Sequence, residues 1–177
     1  TIDFLKFYIS DITFLKEGTQ VGKSKEKHHL IDAQHSLIYK ALCTIKNKNF
    51  DTITFLVGLD SKTQEKGIQG GVLDPTNQMY WTWQNGFINF KLEGESSLCT
   101  TRKNKFQFHV GGFQEPYATS QEVSLKAKGA MPLLIKVEVA SFFNAIDISQ
   151  TNTVTSPNKN AVMVSKVLPN LFSVHEN

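Results

Sequence analysis

Short runs of alternating apolar and polar side chains recur along this chain, and that period of two constrains its fold more than any other feature. Alternation places every second side chain on one face of a strand. Residues 2–14 (IDFLKFYISDITF) set Ile2, Phe4, Lys6, Tyr8 and Ser10 on one parity and Leu5, Phe7 and Ile9 on the other. Residues 50–59 place Ile53, Phe55 and Val57 on one face, and residues 105–113 set Phe106, Phe108 and Val110 against Gln107 and His109. Residues 121–126 and 133–139 predict two more strands, with Phe142 and Phe143 closing the second run. Residues 79–92 are aromatic throughout. They read as a strand pair broken at Gln84-Asn85-Gly86, since Asn-Gly between apolar runs is a strong hairpin signal; a short helix is the alternative.

The intervening segments read differently. Glu17-Gly18 signals a turn, residues 20–27 a polar loop, and residues 46–49 a second turn. His29 to Asp32 form a short apolar patch, while residues 36–44 fit strand or helix equally. Residues 60–77 make a long Gly- and Pro-bearing connection, of the kind that is functional or carries short irregular turns. Residues 144–160 are linker-like. Ala161, Val164, Leu168, Leu171 and Phe172 have helical spacing interrupted by Pro169, which predicts a short terminal helix. Together these features predict an all-β fold: a single-domain antiparallel β-sandwich over residues 1–177 with a short C-terminal helix.

Composition narrows the function classes. A chain of 177 residues with thirteen Phe can bury a substantial core. The net charge is +3, with basic residues scattered and tightest at 23–27 and 102–105, beside turn-like residues. These are solvated loops; a nucleic-acid groove would interleave them with exposed aromatics. No apolar run approaches the roughly 18 residues of a spanning helix. Cys43 and Cys99 lack a C-x-x-C partner and stand either as one disulfide or as two free thiols. The chain opens at Thr1, without Met, directly in a strand; a processed leader or N-terminal tether is expected to precede it.

Enzyme signatures are missing. There is no G-x-S-x-G, no phosphate-cradling glycine motif and no H-E-x-x-H. Asp60 and Asp74 flank a glycine-rich loop but do not meet the calcium-loop pattern. The expectation is a binding protein and not an enzyme.

Four segments together resemble the MbnP-like copper-binding domain family, named for a methanobactin-associated periplasmic protein. They are Phe7-Tyr8-Ile9-Ser10-Asp11-Ile12, His29-Leu30-Ile31-Asp32, residues 73–87 (LDPTNQMYWTWQNGF) and Phe106-Gln107-Phe108-His109-Val110-Gly111-Gly112. The most specific part is M-Y-W-x-W-Q-x-G followed about twenty residues later by F-x-F-H. The resemblance implies a β-sandwich in the bacterial envelope, periplasmic or outer-membrane-associated and often lipid-anchored. It also implies copper as the bound metal and a partner similar to a di-haem cytochrome c peroxidase. In relatives of this kind one Trp of the W-x-W region is oxidised to kynurenine, which binds copper together with histidines.

The residues suit that chemistry. Imidazole nitrogen serves copper well. Kynurenine carries an aniline-type amine that indole lacks, so oxidation would turn a non-ligand into a nitrogen donor. Trp81 and Trp83 are two apart and would share a face on a strand. His109, on the polar parity of its strand, is the leading metal ligand, and His29 the second; His28 and His35 are alternatives, and His175 lies in the tail. Each has a plainer reading: the tryptophans as core, the histidines as surface or capping residues. One departure from the family pattern is that no His flanks the Trp pair. Met79 is a candidate soft ligand that more often fills space.

Three functions follow. The first is an envelope copper protein matured by a haem enzyme. The second is a non-catalytic lipoprotein-type subunit of an outer-membrane complex or transporter, keeping the fold without metal. The third is a sugar-binding sandwich in which Tyr80, Trp81 and Trp83 stack on a glycan.

Overall fold

The computed structural model describes residues 1–33, 40–46, 49–127 and 132–175. The spine is β1 (Ile2–Lys16), followed by β2 (Thr19–Lys23), β3 (His28–Asp32) and β4 (Thr52–Val57). Then come α1 (Ser61–Lys66), β5 (Tyr80–Thr82), β6 (Gly86–Glu95), β7 (Lys105–Gly111) and β8 (Gln121–Lys126). The chain ends with β9 (Leu134–Val137), α2 (Ala140–Ala145), β10 (Thr153–Val154), α3 (Lys159–Ser165) and β11 (Phe172–His175). Nine strands form one sheet, while β9 and β11 pair separately. Pairing is antiparallel except where β10 runs parallel to β7.

The register explains the shape. Lys6 faces both Asp32 of β3 and Lys91 of β6. Ile9 faces both His29 of β3 and Val57 of β4. A strand has two edges, so β6 and β4 share one edge of β1 and β3 lies along the other. The hand-over falls at Tyr8, between Phe7 opposite Phe90 of β6 and Ile9 opposite Val57 of β4; just beyond it, at Asp11 with a φ of 54°, the pairing with β4 slips between Ser10 and Thr13. The sheet therefore curls. Its β6–β7 wing and its β4–β8 wing enclose one core containing Phe7, Phe90, Phe108, Phe55 and Val123. The predicted sandwich is thus built from one curled sheet.

Aromatic rings close it. Phe172 of β11 meets Phe7 at 5.9 Å and Phe55 at 5.3 Å between centroids. Phe142 of α2 packs on Phe90 at 5.8 Å and Phe108 at 4.9 Å. A second cluster of Tyr8, Leu30, Leu59, Leu73, Met79, Phe87 and Ile88 lies on the opposite face of β1. It is roofed by the 60–79 connection, which holds α1 and two 3-10 turns. Asn89 pins the roof to the sheet. Its Oδ1 accepts from Leu59 N at 3.1 Å and Gln64 Nε2 at 3.0 Å, and its Nδ2 donates to Thr119 Oγ1 at 3.0 Å. All three side chains are buried.

Several expectations change. The polar loop at 20–27 begins inside β2, and the linker-like 144–160 contains β10. The strand expected at 133–139 shortens to β9, and Phe142 and Phe143 belong to α2. The expected helix over 161–172 is cut: α3 ends at Ser165, Pro169 lies in a 3-10 turn at Leu168–Leu171, and β11 takes over at Phe172. Of the ambiguous segment 36–44, residues 40–44 are irregular and the rest lies outside the described residues. Cys43 is an exposed free thiol and Cys99 a buried one.

Candidate metal centre

The β5–β6 hairpin turns on the Asn85-Gly86 signal. Gly86 has a φ of 71°, a left-handed backbone that favours glycine. Tyr80 pairs with Phe87 and Thr82 with Gly86. Trp83 lies past the end of β5, at the tip of the turn, and is 79% exposed. Trp81 is half-buried against the second cluster. The two indoles, expected on one face of a strand, are thereby separated.

Trp81 rests on β7. A Cβ added at Gly111 would stand 2.8 Å from Trp81 Cζ3 and 2.7 Å from the Phe87 carbonyl oxygen. Only a residue without a side chain lets the indole approach the strand this closely. His109 is two residues away on the same face, roughly 7 Å along the strand. The structure therefore seats Trp81 on the strand that carries His109, two residues further along.

The His109 ring is half-buried, and its Nε2 lies 2.6 Å from Glu93 Oε1. Burial pushes its pKa below the usual imidazole range, the Lys91 ammonium adds to this, and the Glu93 bond opposes it. Burial would raise Glu93, but the His109 hydrogen bond and Lys91 outweigh it and hold the carboxyl below its usual range. The pair at neutral pH is thus a neutral imidazole donating Nε2–H to a carboxylate. In that tautomer the lone pair sits on Nδ1, the form a metal requires.

Charged side chains continue across the strands. Asp32, Lys6, Lys91 and His109 stand in register on β3, β1, β6 and β7. Lys6 Nζ reaches Asp32 at 2.9 Å, and Lys91 Nζ reaches Glu93 Oε1 at 3.4 Å. The Phe4 ring lies 4.9 Å from the first ammonium and 4.4 Å from the second. Lys91 and Glu93 are functional candidates that reading the sequence alone missed. Both occupy the polar parity of β6, but only the register reveals that they meet His109.

The other histidines lie elsewhere. His29 faces Ile9 on the core side of the sheet, three strand spacings or roughly 14 Å across from the His109 strand. Its Nε2 is buried without a hydrogen-bond partner. Burial and then Lys40 lower its pKa, against a hydrogen bond with the Glu26 backbone. His28 is on the His109 face but bonds Thr63 Oγ1 at 3.1 Å, near Asp60. His175 is exposed at the end of β11, and His35 lies outside the described residues. Met79 is fully buried in the second cluster.

Among the described residues, no three of His, Cys, Asp and Glu converge to hold a metal ion. As encoded, the Trp81–His109 pair offers one imidazole donor. Among the described residues no helix is long and apolar enough to cross a membrane.

The MbnP family model matches residues 1–161. A search of curated proteins found no match. Among solved structures, MbnP from Methylosinus trichosporium is similar in fold, with a TM-score of 0.51 and 13% identity over 92% of this chain and 75% of that one. The match over residues 1–161, on a curled all-β sheet of this shape, shows that the chain belongs to the MbnP family.

Proposed function

We propose that this chain is a copper-binding protein of the bacterial cell envelope, with no catalytic activity of its own. In this reading His109 and an oxidised Trp81 hold the metal. The observation that carries it is the seating of Trp81 on Gly111, on the face that bears His109. The oxidation is assigned to a partner similar to a di-haem peroxidase, using hydrogen peroxide. Two peroxides deliver two oxygen atoms across the C2–C3 bond of the indole, which breaks, and two waters leave. Hydrolysis then releases formate and leaves kynurenine with its aniline-type amine.

When bound, copper would take the His109 Nδ1 lone pair and that amine. Glu93 fixes the ring's tautomer and orientation through Nε2–H. Trp83 and His29 are not ligands in this reading.

Copper titration of protein from its native host tests the proposal. His109→Ala and Trp81→Phe should each weaken binding at least about tenfold, and His29→Ala should leave it unchanged. Equal affinity in wild type, His109→Ala and Trp81→Phe would sink the copper reading. It would favour the metal-free accessory subunit, consistent with the missing three-ligand cluster among the described residues.

A further inference from the structure

β8 is the last strand on one side of the large sheet, and its second edge is open. Along its first edge it pairs with β4 without a slip, from Thr52 opposite Lys126 to Val57 opposite Gln121. β9 and β11 pair with each other and not with β8. Among the described residues, no backbone hydrogen bond outside the strand ladders engages residues 121–126. An edge of this kind presents a row of free N–H and C=O groups, which proteins blunt with a bulge, a proline or charge. β8 has neither bulge nor proline. Its outer face carries Glu122, Ser124 and Lys126, all exposed, and its inner face carries buried Val123 and half-buried Leu125.

The outer face runs acid, hydroxyl, base, so it complements itself when reversed. A second copy laid antiparallel along this edge, with the two-fold axis at Ser124, sets Glu122 opposite Lys126 on both sides of the axis. Val123 then meets Leu125. Sliding by one residue would level the exposed face of one copy with the core face of the other. Sliding by two would set Ser124 opposite Glu122 or Lys126 and lose both ion pairs. Only pairing about Ser124 joins opposite charges, which is the favourable cross-strand arrangement. We infer that β8 is a homodimerisation edge, through which two copies of the chain join their sheets across a two-fold axis. Lys126 Nζ already donates to Thr52 Oγ1 at 3.2 Å, and an ammonium keeps two further donors for a carboxylate. One strand pair of this length buries less than about 1,000 Å², so the dimer is weak and forms only at high concentration. β4, β1 and β6 separate β8 from the His109 strand, so the inference stands apart from the metal reading.

Sedimentation velocity of the chain at rising concentration, up to about 1 mM, tests this. A monomer–dimer equilibrium is the expected result. Lys126→Glu and Glu122→Lys each set like charges opposite one another on both sides of the axis. Each should weaken association at least about tenfold, and the two substitutions combined should bring it back near wild type. Glu122→Lys carries the comparison if Lys126→Glu, which also removes the bond to Thr52, does not fold. Ser124→Cys is made in a Cys43→Ser background, because Cys43 is an exposed thiol. It should form an intermolecular disulfide under mild oxidation, since opposite Cα atoms of paired strands stand about 4.5–5.5 Å apart. Glu122→Cys, about 13 Å from its own copy in this register, should not. A chain that stays monomeric over the whole range overturns the inference. So does a dimer that ignores the charge reversals, is not restored by their combination, or is not cross-linked through position 124.

Discussion

At the residue scale, the candidate centre depends on a glycine. Gly111 allows Trp81 to lie against β7, because a Cβ there would collide with both the indole and the Phe87 carbonyl. Gly111→Ala should destabilise the fold by about 1–3 kcal/mol and shift the indole emission, which denaturant titration followed by fluorescence would record. A glycine two positions after a strand histidine was visible in the sequence, and glycine within a strand marks close approach of a neighbour. What the sequence concealed was the neighbour's identity. Trp81 reaches Gly111 through a hairpin whose register slips between Tyr80 and Thr82, and alternation cannot predict such a slip. The same slip explains why Trp83, expected beside Trp81, ends on the turn.

At the element scale, the 60–79 roof is held by polar groups more than by regular structure. Asn89 satisfies the Leu59 backbone and the Gln64 and Thr119 side chains, and Gln64 Oε1 accepts from Phe87 N at 2.7 Å. Asn89→Ala would strand these buried groups. It should cost about 2–4 kcal/mol in chemical denaturation. Asp60 caps α1, accepting from Thr63 N at 3.2 Å and from Lys27 Nζ at 2.8 Å. Burial alone would raise its pKa, but Lys27 and Thr63 outweigh burial and pull it from 3.8 to about 2. A carboxyl depressed on folding stabilises the protein above its unfolded value, and that stability is lost as pH falls from 3.8 toward about 2. Asp60→Asn should therefore lose about 1–2 kcal/mol at neutral pH and show a flatter acid limb in thermal unfolding. The long strands and the hairpin were legible because each repeats its pattern over several residues. The two-residue β10, the five-residue β2 and the late β11 were not. β2 and β10 lie in polar sequence without apolar alternation, β11 begins where the helical spacing of 161–172 ends, and their pairing is decided by β1, β7 and β9.

At the scale of the whole molecule, one strand organises both the core and the site. By trading β6 for β4 along a single edge, β1 curls the sheet around the aromatic core. The same strand presents Lys6 outward, in register with Lys91 and His109. The all-β class was readable from alternation in β4 and β7, although β1 and β6 are buried on both faces where the second cluster covers them. The candidate site was less readable. His29 and His109 both stand on strands, but only the pairing order reveals that they face opposite sides of the sheet. Peptide mass mapping of protein isolated from its native host tests the central claim most directly. The account predicts a gain of about 4 Da on Trp81, with Trp83 unaltered. Copper-loaded protein in which Trp81 is intact, or in which the gain falls on Trp83, would contradict it.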